Sequence, residues 1–156
     1  MTISKLLKYI KVGYRGAGIA LVCGNEVLMQ LRVHPPVWSF VGGGYDPGKD
    51  SSLLDTALRE FYEETGIRLE RSSIQKRPVM TLGAWRYKWI LYLALVDVKP
   101  DPANGPPEFR GEYQKYRYVD VYDYRSVLAE EQHKKTFFFV RTQMRTIGKM
   151  IERLQK

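Results

Sequence analysis

The sequence REFYEETGI, residues 59–67, places three glutamates on a segment that is predicted to be helical. Glu60 lies three residues before Glu63 and four before Glu64, so the three carboxylates share one side of the helix. Like charges this close repel one another unless a cation neutralises them, and carboxylate oxygens are ligands that Mg²⁺ or Mn²⁺ prefers. Because protein-bound Mg²⁺ commonly also contacts substrate phosphates, the pattern predicts a phosphate ester or anhydride as substrate. The alternative interpretation is an ordinary solvated helix face.

The ends of this helix are marked by capping signals. The helix is predicted to begin near Ser51 or Ser52, because Ser52 and Asp55 have capping-box spacing, and to end at Gly66. Arg59, four residues before Glu63, is expected to pair with a carboxylate and fix its rotamer. The residues expected to form the buried stripe are Leu54, Leu58, Phe61 and Thr65.

The segments on either side predict a mixed sheet covered by helices, an α/β fold. Two apolar runs around Gly24-Asn25 predict a hairpin, and WSFVGGG at residues 38–44 predicts a short strand running into three glycines. Such glycines allow the backbone to approach a metal or phosphate closely, although a flexible turn is the alternative. Further strands are predicted within residues 78–82, 85–98 and 116–121. A closing amphipathic helix from about Glu130 to Lys156 is predicted from Phe137, Val140, Met144, Ile147, Ile151 and Leu154.

The composition favours one globular domain over residues 1–156, with 44% hydrophobic and 27% charged residues. The net charge of +8, from 25 Lys and Arg against 17 Asp and Glu, favours an anionic partner. The longest apolar run, residues 89–96, is far shorter than the ~20 residues of a membrane span, so no membrane partner is expected. Lysines interrupt the apolar residues near the N-terminus, which argues against an export signal and predicts a cytoplasmic protein.

Residues 38–48 (WSFVGGGYDPG) and 59–67 together resemble the signature of the Nudix hydrolases. That signature reads Gly, five variable residues, Glu, seven variable residues, then Arg-Glu-U-x-Glu-Glu-x-Gly-U, where U is a bulky apolar residue. The second half matches at every specified position, with Phe61 and Ile67 at the U sites. The resemblance implies a Nudix-like α/β/α sandwich with a mixed β-sheet, and a hydrolase that acts on phosphoric anhydrides with Mg²⁺ or Mn²⁺ as cofactor.

The first half of the signature departs from the family pattern. Alignment of the glycine-rich loop puts Lys49 where the first acidic residue of the signature belongs. Either Asp50 or Asp55 takes over part of that role, or the role is dispensable here. The resemblance implies that the metal is held by Glu60, Glu63, Glu64 and the main-chain carbonyl near Gly44.

The resemblance also implies the reaction and the remaining site residues. The expected reaction is hydrolysis of a nucleoside diphosphate linked to another group, and the expected substrate is a nucleoside triphosphate, a dinucleoside polyphosphate or an RNA 5′ end. The expected general base is a glutamate of the signature or Glu112, beside the catalytic set Arg59, Glu60, Glu63 and Glu64. The residues expected to contact the phosphates are Arg15, Arg32, Lys49 and Arg86.

Two other classes stay open at this stage. In the first, the altered signature has cost activity, and a catalytically impaired Nudix domain binds a nucleotide or nucleic acid. In the second, the chain is a basic nucleic-acid-binding domain unrelated to phosphohydrolysis, although it has none of the usual recognition motifs. A homodimer also stays open, because many members of the family form dimers.

Overall fold

The computed structural model describes Ser4, Leu7 and residues 13–102 and 113–156. Within these residues, seven strands form one mixed sheet. The strands are β1 (Tyr14–Cys23), β2 (Glu26–Arg32), β3 (Trp38–Ser39), β4 (Val41–Gly44), β5 (Met80–Ala84), β6 (Tyr87–Leu95) and β7 (Tyr113–Asp120). The helices are α1 (Leu53–Thr65), α2 (Tyr124–Ala129) and α3 (Val140–Leu154), with a 3₁₀ turn at Arg71–Ser73.

Strand β1 is the centre of the sheet. It runs parallel to β6 along its whole length, and on its other side it pairs antiparallel first with β4 and then with β2. The predicted hairpin at Gly24-Asn25 joins β1 to β2, and β2 also pairs with β7. The glycines of β4 lie opposite β1, with Gly42 facing Gly18 and Gly44 facing Gly16. The predicted glycine segment is therefore part of the sheet and not a free turn.

Two apolar cores cover the two faces of the sheet. On one face, Ala17, Ile19 and Leu21 of β1 pack with Leu53, Ala57 and Phe61 of α1. On the other face, Ala20 and Val22 of β1 belong to a core that contains residues of α2 and α3, among them Leu128, Met144 and Ile147. Because alternate residues of a strand point to opposite faces, one apolar run supplies both cores. The predicted α/β/α sandwich is confirmed.

The local signals at the ends of α1 are found in the structure. The Ser52 side chain accepts a hydrogen bond from the Asp55 backbone N–H, and Gly66 ends the helix with a left-handed φ of 72°. The predicted buried stripe is partly wrong, because Leu54 and Leu58 are only half-buried. The fully packed side of the helix is rotated from the prediction and consists of Leu53, Thr56, Ala57, Phe61, Glu64 and Thr65.

Two other boundaries differ from the prediction. Trp85 lies in the turn between β5 and β6, with φ of 54°, instead of in a strand. Helix α3 starts at Val140, because Phe139 before it has a left-handed φ of 73°. Phe137 therefore lies outside the helix, and Leu154 at its far end is 54% exposed. In the part of the chain that is described, no helix is both long and apolar enough to cross a bilayer.

Candidate active site

Arg59 connects the acidic side chains of α1 to the glycine strand β4. Its Nη1 donates hydrogen bonds to Glu60 Oε1 at 2.8 Å and to Glu63 Oε2 at 3.0 Å. Its Nη2 donates to the Gly44 carbonyl oxygen at 2.9 Å. The predicted pairing of Arg59 with a carboxylate is thus present, and one guanidinium orients two glutamates and the end of β4 together.

Asp50 holds the other side of the same guanidinium. Arg59 Nε donates to Asp50 Oδ1 at 2.7 Å, and Nη2 donates to Asp50 Oδ2 at 2.8 Å. Asp50 Oδ2 also accepts hydrogen bonds from the Thr56 hydroxyl and the Asp46 backbone N–H, each at 2.9 Å. The Arg59 hydrogen bonds lower the pKa of Asp50 to about 2, against the opposing effect of its burial. Asp50 is therefore ionised at neutral pH.

This contact corrects the alignment of the first half of the signature. Five residues separate Gly44 from Asp50, as the pattern requires, and one extra residue follows before Arg59. Lys49 instead points outward, with a side chain that is 61% exposed and lies 3.7 Å from Asp46. Of the two alternatives, the Asp55 carboxylate accepts hydrogen bonds from the Ser51 backbone N–H and the Ser52 hydroxyl at the start of α1, and it forms a close ion pair with Arg71. The structure thus places Asp50, and not Asp55, at the acidic position of the signature.

The three glutamates are more buried than an exposed helix face would be. The side chains of Glu60 and Glu63 are 16% and 19% exposed, and Glu64 as a residue is only 9% exposed. Burial raises the pKa of Glu60, although Arg59 opposes this effect. The backbone carbonyl of Glu64 accepts a close hydrogen bond from the Tyr116 hydroxyl, which ties α1 to β7.

A glycine gives Glu60 its place against the sheet. A Cβ atom added at Gly43 would overlap the Glu60 carboxylate, with Oε1 2.7 Å away. The Glu60 carboxylate therefore lies directly over the backbone of β4. This close approach is the specific reason for a residue without a side chain at position 43.

The oxygen donors around Arg59 suit a divalent metal ion. The carboxylates of Glu60 and Glu63 and the main-chain carbonyl of Gly44 are hard ligands of the type that Mg²⁺ and Mn²⁺ take. Because Gly43 has no side chain, the Glu60 carboxylate can lie close to the backbone of β4. Arg59 holds the two carboxylates in their present rotamers. Across residues 13–102 and 113–156, no three His, Cys, Asp or Glu side chains already converge as a complete metal cage. The donor set fits the metal, and substrate or water oxygens would have to complete the shell.

A cavity of about 300 Å³, here called the central cavity, opens beside Glu60 and Glu64. Gln30, Ser39 and Gln143 supply buried polar groups to its lining. Gln30 Nε2 donates to the Phe40 carbonyl oxygen at 3.3 Å, whereas Gln30 Oε1 has no hydrogen-bond partner among the described residues. The aromatic rings of the lining are those of Tyr14, Phe40, Tyr87, Trp89, Phe137, Phe138 and Phe139.

The structure brings some predicted phosphate contacts to this site and leaves others outside. Arg32 lines the central cavity, with its guanidinium 6.0 Å from the centre of the Phe137 ring. Arg15 is exposed on β1 and lies over the Tyr45 ring, and Arg86 is exposed in the turn between β5 and β6. Neither of these two residues nor Lys49 lines the central cavity. The predicted base Glu112 lies outside the described residues.

Two parts of the site were missed by sequence reasoning. Gln30 is a polar residue within the apolar strand EVLMQLR, and that break in the pattern was an available signal. Phe137 is predicted on the apolar stripe of the closing helix, but it lines the central cavity together with Phe138 and Phe139, which carry no prediction. No local signal marks them, because their position depends on how the chain before α3 crosses the sheet.

The three-layer fold, the carboxylate-bearing helix and the adjoining glycine strand define a domain of the Nudix class. A family model described as "NUDIX domain" matches residues 13–139, and the chain belongs to this family.

The curated relatives match only part of their own length. The "m7GpppN-mRNA hydrolase NUDT17" of Danio rerio is 30% identical over 116 residues, which cover 57% of this chain and 38% of that protein. The "Nucleoside diphosphate-linked moiety X motif 6" of Mus musculus is 37% identical over 65 residues, covering 41% of this chain and 20% of that protein. The chain thus spans less than half the length of these relatives.

Solved structures share the fold at low sequence identity. The NUDIX domain of Shewanella oneidensis NrtR, cocrystallised with ADP ribose, superimposes with a TM-score of 0.67 and 20% identity, covering 97% of this chain and 99% of that one. A C. elegans Ap4A hydrolase binary complex gives a TM-score of 0.61 at 19% identity, covering 88% and 98%. A bifunctional NMN adenylyltransferase/ADP ribose pyrophosphatase of Francisella tularensis, complexed with AMP and a Mn ion, gives 0.65 at 13% identity, covering 95% and 47%.

Proposed function

We propose that this chain is a divalent-metal-dependent pyrophosphohydrolase that cleaves a nucleoside diphosphate linked to another group. The observation that carries the proposal is the position of the acidic cluster. Arg59 holds Glu60 and Glu63 against β4, and Glu60 also lines the central cavity. Groups suited to phosphate chemistry therefore adjoin a cavity suited to an organic ligand.

The central cavity has the chemistry that a nucleobase requires. A base is planar and aromatic with hydrogen-bonding edges, so it needs apolar or aromatic walls and a few fixed polar groups. The walls supply tyrosine, tryptophan and phenylalanine rings, and the amides of Gln30 and Gln143 are buried. We infer that the base enters this cavity and that its diphosphate extends toward Glu60 and Glu64.

The residues of α1 then have distinct roles. A Mg²⁺ or Mn²⁺ ion held by Glu60, Glu63, Glu64 and the Gly44 carbonyl would neutralise phosphate oxygens and acidify a water molecule. Arg59 orients two of these carboxylates and is fixed in turn by Asp50. The proton of the attacking water would go to a glutamate of α1 that does not bind the metal or to Glu112, the base that the family resemblance implies.

Two features extend the proposal to an RNA 5′ end or a dinucleoside polyphosphate as substrate. The net charge of +8 favours long, highly charged substrates over small neutral ones. Two similar proteins, an mRNA cap hydrolase and an Ap4A hydrolase, are named after such substrates. ADP-ribose is a further candidate, since one of the similar structures is an ADP ribose pyrophosphatase and another is a complex with ADP ribose.

The test is a substrate panel with the purified, folded protein. Nucleoside triphosphates, dinucleoside polyphosphates, ADP-ribose, capped RNA and 5′-triphosphate RNA are each incubated with Mg²⁺ or Mn²⁺, and released products are separated by chromatography. We expect turnover of at least one compound, abolished by a chelator. Absence of turnover with every compound of the panel would refute the proposed hydrolase activity. Nucleotide binding without turnover would identify instead the impaired, nucleotide-binding module.

A further inference from the structure

A second groove lies on the side of the molecule formed by α2, α3 and the turn after β7. This groove, here called the α2–α3 groove, has a volume of about 610 Å³ and is open to solvent. Four cations line it, Arg125 on α2 and Arg141, Arg145 and Lys149 on α3, and they outnumber the two carboxylates of the lining, Asp123 and Glu152. All four are exposed, and within the described part of the chain none of them forms an ion pair with a carboxylate.

The spacing of these cations selects an extended ligand. Arg141, Arg145 and Lys149 follow one another at four-residue intervals, so they form a stripe along the exposed side of α3. At ~1.5 Å per residue, the stripe is about 12 Å long. A single phosphate cannot contact both of its ends. The groove fits an anion that carries several charges in a row.

An aromatic ring lies among the cations. Tyr122 is 55% exposed and lines the groove, and its hydroxyl lies 3.3 Å from the Gly148 carbonyl oxygen and 3.4 Å from Glu152 Oε1. A Cβ atom at Gly148 would be only 3.1 Å from Tyr122 Cε1. The glycine therefore gives the ring room to rest on the helix, and the hydroxyl contacts hold it there. The result is a fixed, solvent-facing aromatic surface beside Arg145 and Lys149.

We propose that the α2–α3 groove binds single-stranded nucleic acid. Such ligands are bound by combining a positively charged groove, which follows the phosphates, with exposed aromatic rings, on which bases stack. The cations of α3 would contact successive phosphates, and Tyr122 would stack on a base. A lipid surface fits less well, because membrane-bound helices insert an exposed apolar face, whereas Val140, Met144 and Ile147 of α3 are buried in the core.

The groove and the central cavity share one helix. Val140 and Gln143 line the central cavity, while Arg141 and Arg145 line the groove. A nucleic-acid strand whose 5′ end occupies the central cavity would therefore continue along α3. This path between the two sites rests on the proposed function. The binding of nucleic acid in the groove does not rest on the proposed function, since this binding needs neither a metal nor hydrolysis.

The test uses a fluorescent 12-nucleotide single-stranded oligonucleotide with a 5′-hydroxyl, in the presence of a chelator, so that the result is independent of catalysis. The triple variant Arg141→Gln/Arg145→Gln/Lys149→Gln is expected to bind at least ten-fold more weakly. Its slope of log K against log salt should be smaller by about 2, because each phosphate contact in a single strand contributes roughly 0.7. Tyr122→Ala is expected to lose about ten-fold in affinity at an unchanged salt slope, and Tyr122→Phe should retain the stacking.

A matched variant separates the groove from the general charge of the protein. Lys76→Gln/Arg77→Gln/Lys134→Gln removes the same charge at exposed positions outside the groove and should bind like the wild type. Thermal melting of each variant verifies folding. The proposal is overturned if the wild type does not bind the oligonucleotide at low salt or if both triple variants lose the same affinity. Binding to phosphatidylserine vesicles but not to the oligonucleotide would also overturn it, in favour of a lipid surface.

Discussion

The carboxylate of Asp50 forms a two-point contact with the guanidinium of Arg59, with N–O distances of 2.7 and 2.8 Å. The Asp50 side chain is 1% exposed and that of Arg59 is 18% exposed, so this ion pair is largely shielded from water. The pair joins the loop after β4 to α1. The positions of Glu60 and Glu63 depend on it, because both accept hydrogen bonds from the same guanidinium.

Loss of the Asp50 carboxylate should destabilise the fold. In Asp50→Ala, Arg59 would remain largely buried without its main partner, and breaking such a pair costs about 3–5 kcal/mol. We expect the free energy of unfolding in urea to fall by about this amount. Lys49→Ala, at the neighbouring exposed position, should change it by less than about 0.5 kcal/mol. Equal effects of the two variants would show that Asp50 does not support the site.

Stability should also depend on pH through Asp50. Its pKa is about 2 in the folded protein against an ordinary value of 3.8, so the folded state favours the ionised form. The resulting stabilisation, about 2 kcal/mol, is fully present above pH 3.8 and is lost as the pH falls toward 2. The free energies of unfolding of the wild type and of Asp50→Asn, measured from pH 6 to pH 2, should therefore converge at the acid end. A constant difference between the two proteins would contradict this prediction.

Gly43→Ala should impair activity far more than stability. The added Cβ would overlap the Glu60 carboxylate, and the flexible glutamate side chain can move aside at small energetic cost. The displaced carboxylate would then leave its place over β4. We expect kcat to fall at least ten-fold, with an unfolding free energy within about 1 kcal/mol of the wild type. The matched control is Gly83→Ala, whose Cβ would meet nothing within 4 Å. An active Gly43→Ala enzyme would show that Glu60 does not act from this position.

The parts of the fold that were predictable from sequence depend on local contacts. The Ser52 cap and the Gly66 end of α1 are set within a few residues, so their signals are visible in the sequence itself. Asp50 was left as one of two alternatives, because an extra residue before Arg59 shifts the spacing, and only the folded chain reveals which carboxylate reaches the guanidinium. Trp85 and Phe139 adopt left-handed φ values that bulky residues rarely take, so no propensity could place the turn or the helix start there.

The candidate site was predictable in its charges but not in its cavity. Glu60 and Glu63 were identified by their spacing on one helix, and this spacing can be read directly from the sequence. The central cavity is formed by residues from β2, β6 and the segment before α3, which are distant in sequence and meet only across the sheet. The metal, the role of Glu112 and the cytoplasmic location stay predictions.

Gln30→Met should separate ligand binding from folding. Gln30 is 1% exposed and lines the central cavity, and its Oε1 accepts no hydrogen bond from any described residue, so this acceptor is available to a ligand. Methionine has a similar volume, so we expect the unfolding free energy to change by less than about 1.5 kcal/mol. If the amide contacts the nucleobase, KM should rise at least five-fold while kcat changes little. Unchanged KM for every active substrate would exclude Gln30 from base recognition.

Glu63→Gln is the sharpest test of the acidic cluster. The substitution keeps the shape of the side chain and removes its charge, while Arg59 retains its contacts with Asp50 and Glu60. Folding should therefore be nearly unaffected, whereas a lost metal ligand should lower kcat by a factor of about 100 or more. Glu64→Gln is expected to behave in the same way. Glu70→Gln, an exposed glutamate beyond the end of α1, is the matched control and should leave kcat unchanged. Wild-type kcat in both Glu63→Gln and Glu64→Gln, measured on the best substrate of the panel, would refute the assignment of α1 as the metal-binding helix.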